Sequence, residues 1–307
     1  MAMTSSEPTR RKPANNWKHH ALLKDVKEAL YSLPSYFRTE TNIEGISATD
    51  IFTLNTALGA TIENQVVQTL NQMRSVWDPD ERYALYSFVR QSQTFPDVLL
   101  KRSAGAEGGE EDIIMGIELK GWYLLAKEGE PSFRFQVTPK ACALQDLIVV
   151  VPWVLNNVIA GSPRVLAPYI EAARFAAEYR NYHWQVLRDA KGSKKIKAPV
   201  GVKPYPVKSD HIADEPEYDK GGNFGRYART GLMDAYLERT RTELLCGINA
   251  EHWLRFFKIF QDQKDAALVK GEIDKLKGKL SSAETVSEER LSPILAILDQ
   301  LEELASG

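Results

Sequence analysis

The chain has 307 residues, 43% hydrophobic and 26% charged, with a formal net charge of -2. A chain of that size buries a full core without staples, and its two cysteines, Cys142 and Cys246, exclude both a disulfide framework and a four-cysteine zinc site. The neutral total hides an uneven distribution: from Arg188 to Lys208 seven Lys/Arg stand against one acid, Asp189. Such a run is either a solvated loop or a cationic face for phosphates.

Residues 1–16 read as a disordered basic tail, with Arg10, Arg11 and Lys12 but no apolar stretch of the kind a secretory leader needs. The longest apolar run, Leu147 to Val158, is interrupted by Pro152 and two asparagines and is too short to cross a bilayer. A soluble protein of a reducing cytoplasm, with no membrane partner, is the expectation.

From Ile51 to Trp77, apolar residues recur at Ile51, Leu54, Leu58, Ile62, Val66, Leu70, Met73 and Trp77, which predicts one amphipathic helix. A short strand is predicted from Phe95 to Lys101, then a Gly/Glu turn over Gly105 to Glu111 and a long strand from Asp112 to Leu125. Ser132 to Thr138 alternates Phe133, Phe135 and Val137 and predicts a strand, and Leu147 to Val154 predicts a buried one. Ser162-Pro163 has the form of a helix start, predicting a helix running towards Arg188. Residues 189–225 carry Pro, Gly and Lys punctuation and predict long loops with a short hairpin. Helices are predicted over Arg226 to Leu245 and Ala250 to Phe260, with 17–260 forming one domain. The remainder, 261–307, predicts a helical hairpin: Val269, Ile273, Leu276 and Leu280 on one arm, Leu291, Leu295, Leu298 and Leu301 on the other. A capping box of Thr285 and Glu288 precedes the second arm.

Chemistry concentrates in the long strand. Side chains alternate along it, so Glu118 and Lys120 share a face with Ile114, Gly116 and Trp122. A charged pair in an apolar strand is costly without a partner such as a metal ion. Pro96-Asp97 opens the preceding strand, and a hairpin across the Gly/Glu turn would bring Asp97 towards Glu118. Glu63 precedes Val66, Val67 and Leu70 on the helix, at the edge of the stripe facing the sheet. Two acids and a lysine so gathered suit Mg²⁺-assisted phosphodiester hydrolysis, in which the cation offsets developing charge and a lysine polarises the attacking water. The letters alone recur by chance: Pro79-Asp80 and the Asp-x-Lys triplets at Asp25, Asp189 and Asp262 lack the strand context. The bland alternative is an ion pair between Glu118 and Lys120 on a half-exposed strand.

Pro96-Asp97 with Glu118-Leu119-Lys120, and Glu63 on a preceding helix, resembles the PD-(D/E)XK nuclease superfamily, specifically its type II restriction endonucleases. The resemblance covers Ile51 to Leu155. It implies an α/β fold, a mixed central sheet flanked by helices, with an additional helical C-terminal region. It further implies that Asp97, Glu118 and the Leu119 carbonyl hold Mg²⁺ and that Lys120 assists the attacking water. The implied substrate is double-stranded DNA, cut at a specific site by a homodimer in a prokaryotic cytoplasm. No Gly-x-x-x-x-Gly-Lys-Ser/Thr loop occurs, so ATP is not expected.

For DNA contacts the sequence offers Lys191, Lys194, Lys195 and Lys197 in the lysine loop, and Lys101 and Arg102 after the first catalytic strand. The glycine-rich stretch Gly221 to Arg229 offers Asn223, Arg226 and Arg229, as a base-reading loop or a simple loop-to-helix entry. Tyr179, Tyr182, His183 and Trp184 read as packing rather than base stacking. The rival readings are a non-specific or structure-specific nuclease of the same fold, and a DNA-binding protein without catalysis.

Overall fold

The computed structural model describes residues 6–46, 50–91, 93–102, 112–189, 191–262 and 266–281, together with 292, 294–296, 298–299 and 302. Helix α1 spans His20–Tyr36 and α2 spans Leu54–Gln72 after a 3-10 turn at Ile51–Thr53. The single helix predicted over 51–77 is divided, because α2 ends at Met73 and a short α3 follows over Arg74–Trp77. The apolar spacing still marks the core face: Ile62, Val66, Leu70, Met73 and Trp77 are all buried.

Strands β1 (Tyr86–Arg90), β2 (Val98–Arg102) and β3 (Ile113–Tyr123) pair antiparallel in sequence order. The turn predicted over Gly105 to Glu111 lies outside the described residues. Strand β4 (Leu147–Leu155) runs parallel to β3 and is buried at all nine positions, as its β-branched run predicts. Its other edge is shared by β5 (Pro163–Val165) and β6 (Tyr169–Ala172), both antiparallel to it. The chain is thus of the α/β class, with a mixed six-stranded sheet in the order β1-β2-β3-β4-β5, β6 joining β4 beside β5. Pro152 is tolerated inside β4 because β6 pairs with residues 147–150 and β5 with 153–155. The missing N–H falls at the changeover, where the Pro152 carbonyl still accepts from Leu166 N–H (2.8 Å), so the loss is confined to one donor.

Two predicted elements between 132 and 188 are overturned. Ser162-Pro163 starts a strand, not a helix: Pro163 pairs opposite Leu155 as the first residue of β5. A proline is equally at home at the first position of an edge strand, so the local pattern did not distinguish the two. The helix begins only at α4, Ala173–Tyr182, and ends in a π turn over His183–Leu187. Ser132–Thr138 forms no named strand, although Phe133 and Phe135 are buried as its alternation requires. Its backbone bonds to loops, with Phe135 N–H donating to the Gly225 carbonyl and Thr138 N–H to that of Ile212. The buried Arg180 of α4 donates to the carbonyls of Phe135 (2.6 Å) and Val137 (3.1 Å) and pairs with Asp214 at 2.5 Å. A guanidinium fills the place of a neighbouring strand, and its many donors suit it to the task.

The loops from 189 onward contain the expected short hairpin, β7 (Ile196–Lys197) with β8 (Glu215–Pro216). The helix predicted over 226–245 is replaced by a 3-10 turn at Tyr227–Thr230, a break at Gly231 (φ 85°) and α5 over Asp234–Arg241. A hairpin of β9 (Leu244–Leu245) and β10 (Ile248–Asn249) leads into α6, Ala250–Asp262. Helix α7, Ala266–Ser281, buries Val269, Ile273, Leu276 and Leu280 as predicted. Described residues of the second arm are helical, bury Leu298, and place Asp299 and Glu302 each 2.7 Å from Lys277 of α7. Thr285, Glu288, Leu291 and Leu301 lie outside the described residues. Among those described, no helix is long and apolar enough to cross a membrane.

Disorder, predicted for 1–16, does not describe residues 6–16. Arg10 makes a two-pronged contact to the buried Glu171 of β6 and lies over the Phe175 ring at 4.3 Å, while Arg11 pairs with Glu178.

Gly116 permits close packing of β3 on the turn before β2. A Cβ there would lie 2.1 Å from Pro96 Cγ and 2.9 Å from Pro96 Cβ. Gly116→Ala is expected to cost about 2 kcal/mol through this overlap. Urea unfolding measures it, and an unchanged midpoint and slope would mean that Pro96 yields freely.

Candidate active site

Strand β3 is paired on one side by β4 throughout residues 117–123. On the other side β2 pairs only as far as Val98 opposite Ile117. Past that point the N–H groups of Leu119, Gly121 and Tyr123 face an edge with no strand, and side chains take them instead. Leu119 N–H donates to Asp97 Oδ2 (3.1 Å), Gly121 N–H to Glu63 Oε1 (3.0 Å) and Tyr123 N–H to Asn55 Oδ1 (3.1 Å). Asn55 and Glu63 stand eight residues apart on α2, so one stripe of that helix runs along the open edge. Buried amides must find acceptors, and here two of the three acceptors are the predicted acids.

The register that puts Val98 opposite Ile117 sets Asp97 abreast of Glu118, one step further on. Asp97 is held there from the β1 side as well: Gln91 N–H donates to its carbonyl (2.8 Å) and the Gln91 amide to that of Pro96 (2.6 Å). Glu63 is held by Arg90 (3.4 Å) and by Lys120, whose Nζ lies 3.6 Å from Glu63 Oε1. The structure therefore brings Glu63, Asp97, Glu118 and Lys120 together. Lys120 pairs with Glu63 of the helix rather than with its strand neighbour Glu118.

Burial raises the pKa of both strand acids. Asp97 is pushed up to about 6, chiefly by desolvation, against the lowering effect of the Leu119 N–H. Glu118 is pushed well above the ordinary glutamate value by burial first and then by the charge of Asp97. Its Oε2 is buried without a hydrogen-bond partner. An unpartnered carboxylate oxygen beside a second carboxylate is a place for a cation or a proton. In an extended strand the carbonyl of a residue points the same way as its N–H, so the Leu119 carbonyl faces the side where Asp97 sits. Asp97, Glu118 and that carbonyl are the groups that could hold a metal ion. Among the described residues, no cluster of three or more His, Cys, Asp or Glu has metal-binding form, so Glu63 is not gathered into such a set.

Behind the site lies a buried carboxylate that sequence reasoning missed. Asp146 accepts from Gly116 N–H (2.8 Å), Ala143 N–H (2.7 Å) and the Tyr205 hydroxyl (3.2 Å), and burial pushes its pKa up to about 7. Its Oδ1 lies 3.3 Å from where a Gly116 Cβ would stand, on the face of β3 that Glu118 and Lys120 share. Tyr205 belongs to the lysine loop, so that loop is anchored to β3 two residues from Glu118. Nothing in the pattern around Asp146 or Tyr205 marks them in advance. Asn55 and Arg90 were also missed, although the spacing of Asn55 and Glu63 on one helix stripe would have served as a signal.

The predicted DNA-contacting residues separate into groups. Lys191, Lys195 and Lys197 are exposed, Lys195 lying 3.9 Å from Glu217, while Lys194 donates to the Arg188 carbonyl (2.6 Å). Lys101 and Arg102 are half-buried at the end of β2. The glycine stretch packs on its own chain: Phe135 N–H donates to the Gly225 carbonyl, and a Cβ on Gly225 (φ 80°) would meet Gln136 Cγ at 2.7 Å. Arg229 donates to Glu130 (2.5 Å) and Asn223 (3.2 Å), and Arg226 is half-buried. This segment is a packed loop-to-helix entry in which Arg229 already has its acceptors, while Arg226 Nε is buried without one. Trp184 is buried against Phe224, with Arg188 over its ring, as the packing reading of that aromatic cluster expects.

Because folding raises the pKa of Asp97 and Glu118, the folded state keeps protons that the unfolded chain releases near pH 4. The stability this gives is complete below about pH 4 and is lost as pH rises through about 6, the folded value of Asp97. Asp97→Asn and Glu118→Gln are therefore expected to unfold at higher denaturant than the parent at pH 8 in a chelator, by about 1–3 kcal/mol. The gain disappears at pH 4. A gain equal at both pH values would refute the assignment of burial as its cause.

Comparison with known proteins leaves the site to be read from its own residues: no family model, no curated protein and no solved structure matches the chain.

Proposed function

We propose that this chain is a Mg²⁺-dependent endonuclease of the type II restriction kind, built on a PD-(D/E)XK core and cutting double-stranded DNA. The observation that carries the reading is the pair Asp97 and Glu118, set abreast with both pKa values raised and with Glu118 Oε2 buried and unpartnered. Two such groups are more comfortable around a cation than alone. Asp97, Glu118 and the Leu119 carbonyl would hold Mg²⁺; the donor set is all oxygen, which suits it. When bound, Mg²⁺ supplies charge neutralisation at the scissile phosphate and makes water a stronger acid.

Lys120 emerges half-exposed on the face of Glu118, and its pairing with Glu63 restrains it beside the carboxylates. From there its ammonium would donate to the attacking water and offset charge on the phosphorane. Glu63 positions Lys120 and caps Gly121, and so acts through both. The anchored lysine loop, with Lys191, Lys195 and Lys197 exposed, would meet backbone phosphates beside the site. A homodimer fits the reading, since a two-fold axis matches a palindromic site and each protomer cuts one strand.

Plasmid incubated with the protein and Mg²⁺ tests the proposal. Discrete fragments are expected; a smear would point to a non-specific nuclease, and no cutting with any divalent ion would end the enzyme reading. Lys120→Ala should abolish cleavage and leave DNA binding largely intact. Asp97→Asn keeps an acceptor for Leu119 N–H and should fold while losing cleavage. Mg²⁺ is expected to raise the melting temperature of the parent at pH 8 but not that of Glu118→Gln.

A further inference from the structure

A cleft of about 230 Å³ lies between residues 11–13, α1 and the start of β4. Five basic side chains line it (Arg11, Lys12, His20, Lys24 and Lys27) and no acid does. His20, Lys24 and Lys27 stand at four- and three-residue steps, on one stripe of α1. Three of the five are already engaged: Arg11 with Glu178, Lys24 with Glu28 (3.8 Å) and His20 Nε2 with the Ala14 carbonyl (2.6 Å). Lys12 and Lys27 have no hydrogen-bond or ion-pair partner among the described residues. The nearby Glu171 is occupied by Arg10 and by the Ala172 N–H.

Lys27 is half-buried, and burial lowers its pKa; the charge of Glu171 opposes that shift and the smaller effect of Lys12 adds to it. The exposed Lys12 and the half-buried Lys27 thus reach the same cleft with no partner of their own, and an anion seated there would be met by both. The floor is apolar, formed by Leu23, Leu144 and Leu147. Leu147 stands opposite Ile117 in the parallel β3–β4 pair, so it shares the face of Ile117, which Glu118 does not occupy. The cleft is thus separate from the candidate active site and stands whether or not the chain cuts DNA.

We propose that this cleft binds the phosphate of a nucleotide between Lys12 and Lys27, with the sugar and base on the leucine floor. The same chemistry is offered by a free nucleotide and by a DNA strand end, and titration calorimetry on the full chain separates them. The probes are 5′-dAMP, deoxyadenosine and a short 5′-phosphorylated oligonucleotide. Binding of dAMP with no measurable binding of deoxyadenosine is expected, and Lys12→Ala and Lys27→Met should each weaken it about tenfold, the usual order for a charge-assisted contact. Lys27→Met keeps the aliphatic stem, so unchanged melting is expected, and the exposed Lys220→Ala serves as the control without effect. If only the oligonucleotide binds, with the same dependence on both lysines, the source is the DNA strand. Binding of neither phosphorylated probe, equal binding of deoxyadenosine, or affinities unchanged in both lysine variants would overturn the proposal.

Discussion

The open edge of β3 beyond Ile117 governs the site. A central strand that outlasts its neighbour must find acceptors for its amides, and α2 and the residue before β2 provide them through Glu63, Asn55 and Asp97. The same requirement explains why acids gather where an apolar sheet would exclude them. Asp97 comes close to Glu118 because it answers Leu119, and Glu63 comes close to Lys120 because it answers Gly121. Structural satisfaction and the candidate chemistry therefore draw on the same carboxylates. The cost is visible in Asp97 and Glu118, whose charged forms are disfavoured first by burial and then by neighbouring carboxylates, Glu63 for Asp97 and Asp97 for Glu118.

Around this edge, irregular segments are held by side chains as much as by backbone ladders. Arg180 gathers the 133–137 stretch and the 212–214 stretch onto α4, and Asp146 fixes Tyr205 to Gly116. Both are buried charged or ionisable groups with several partners, so removing one partner strands the others. Together they tie Tyr205 to β3 at Gly116 and the 212–214 stretch to α4.

How much of this was legible in the sequence follows from how local each cause is. Alternation along β3 suffices to aim Glu118 and Lys120 the same way, because a strand has period two whatever surrounds it. The β-branched run of β4 likewise announces burial on both faces. The hairpin that sets Asp97 beside Glu118 needs only two strands and a turn. Pro163 could open a helix or an edge strand equally well, and only pairing with Leu155 decides between them. Phe133 to Val137 alternates as a strand should, but its partners are loops more than seventy residues away, together with Arg180. Asp146 and Tyr205 left no trace for the same reason: their meeting depends on a long-range approach that no spacing encodes.

The changeover at Pro152 has a consequence for how the sheet meets other molecules. Its far border is made of two fragments, β5 of three residues and β6 of four, separated where β4 exchanges one for the other. A border so short and interrupted offers no continuous row of amides and carbonyls to a visiting strand. The changeover at this proline thereby helps to keep that flank from templating self-association.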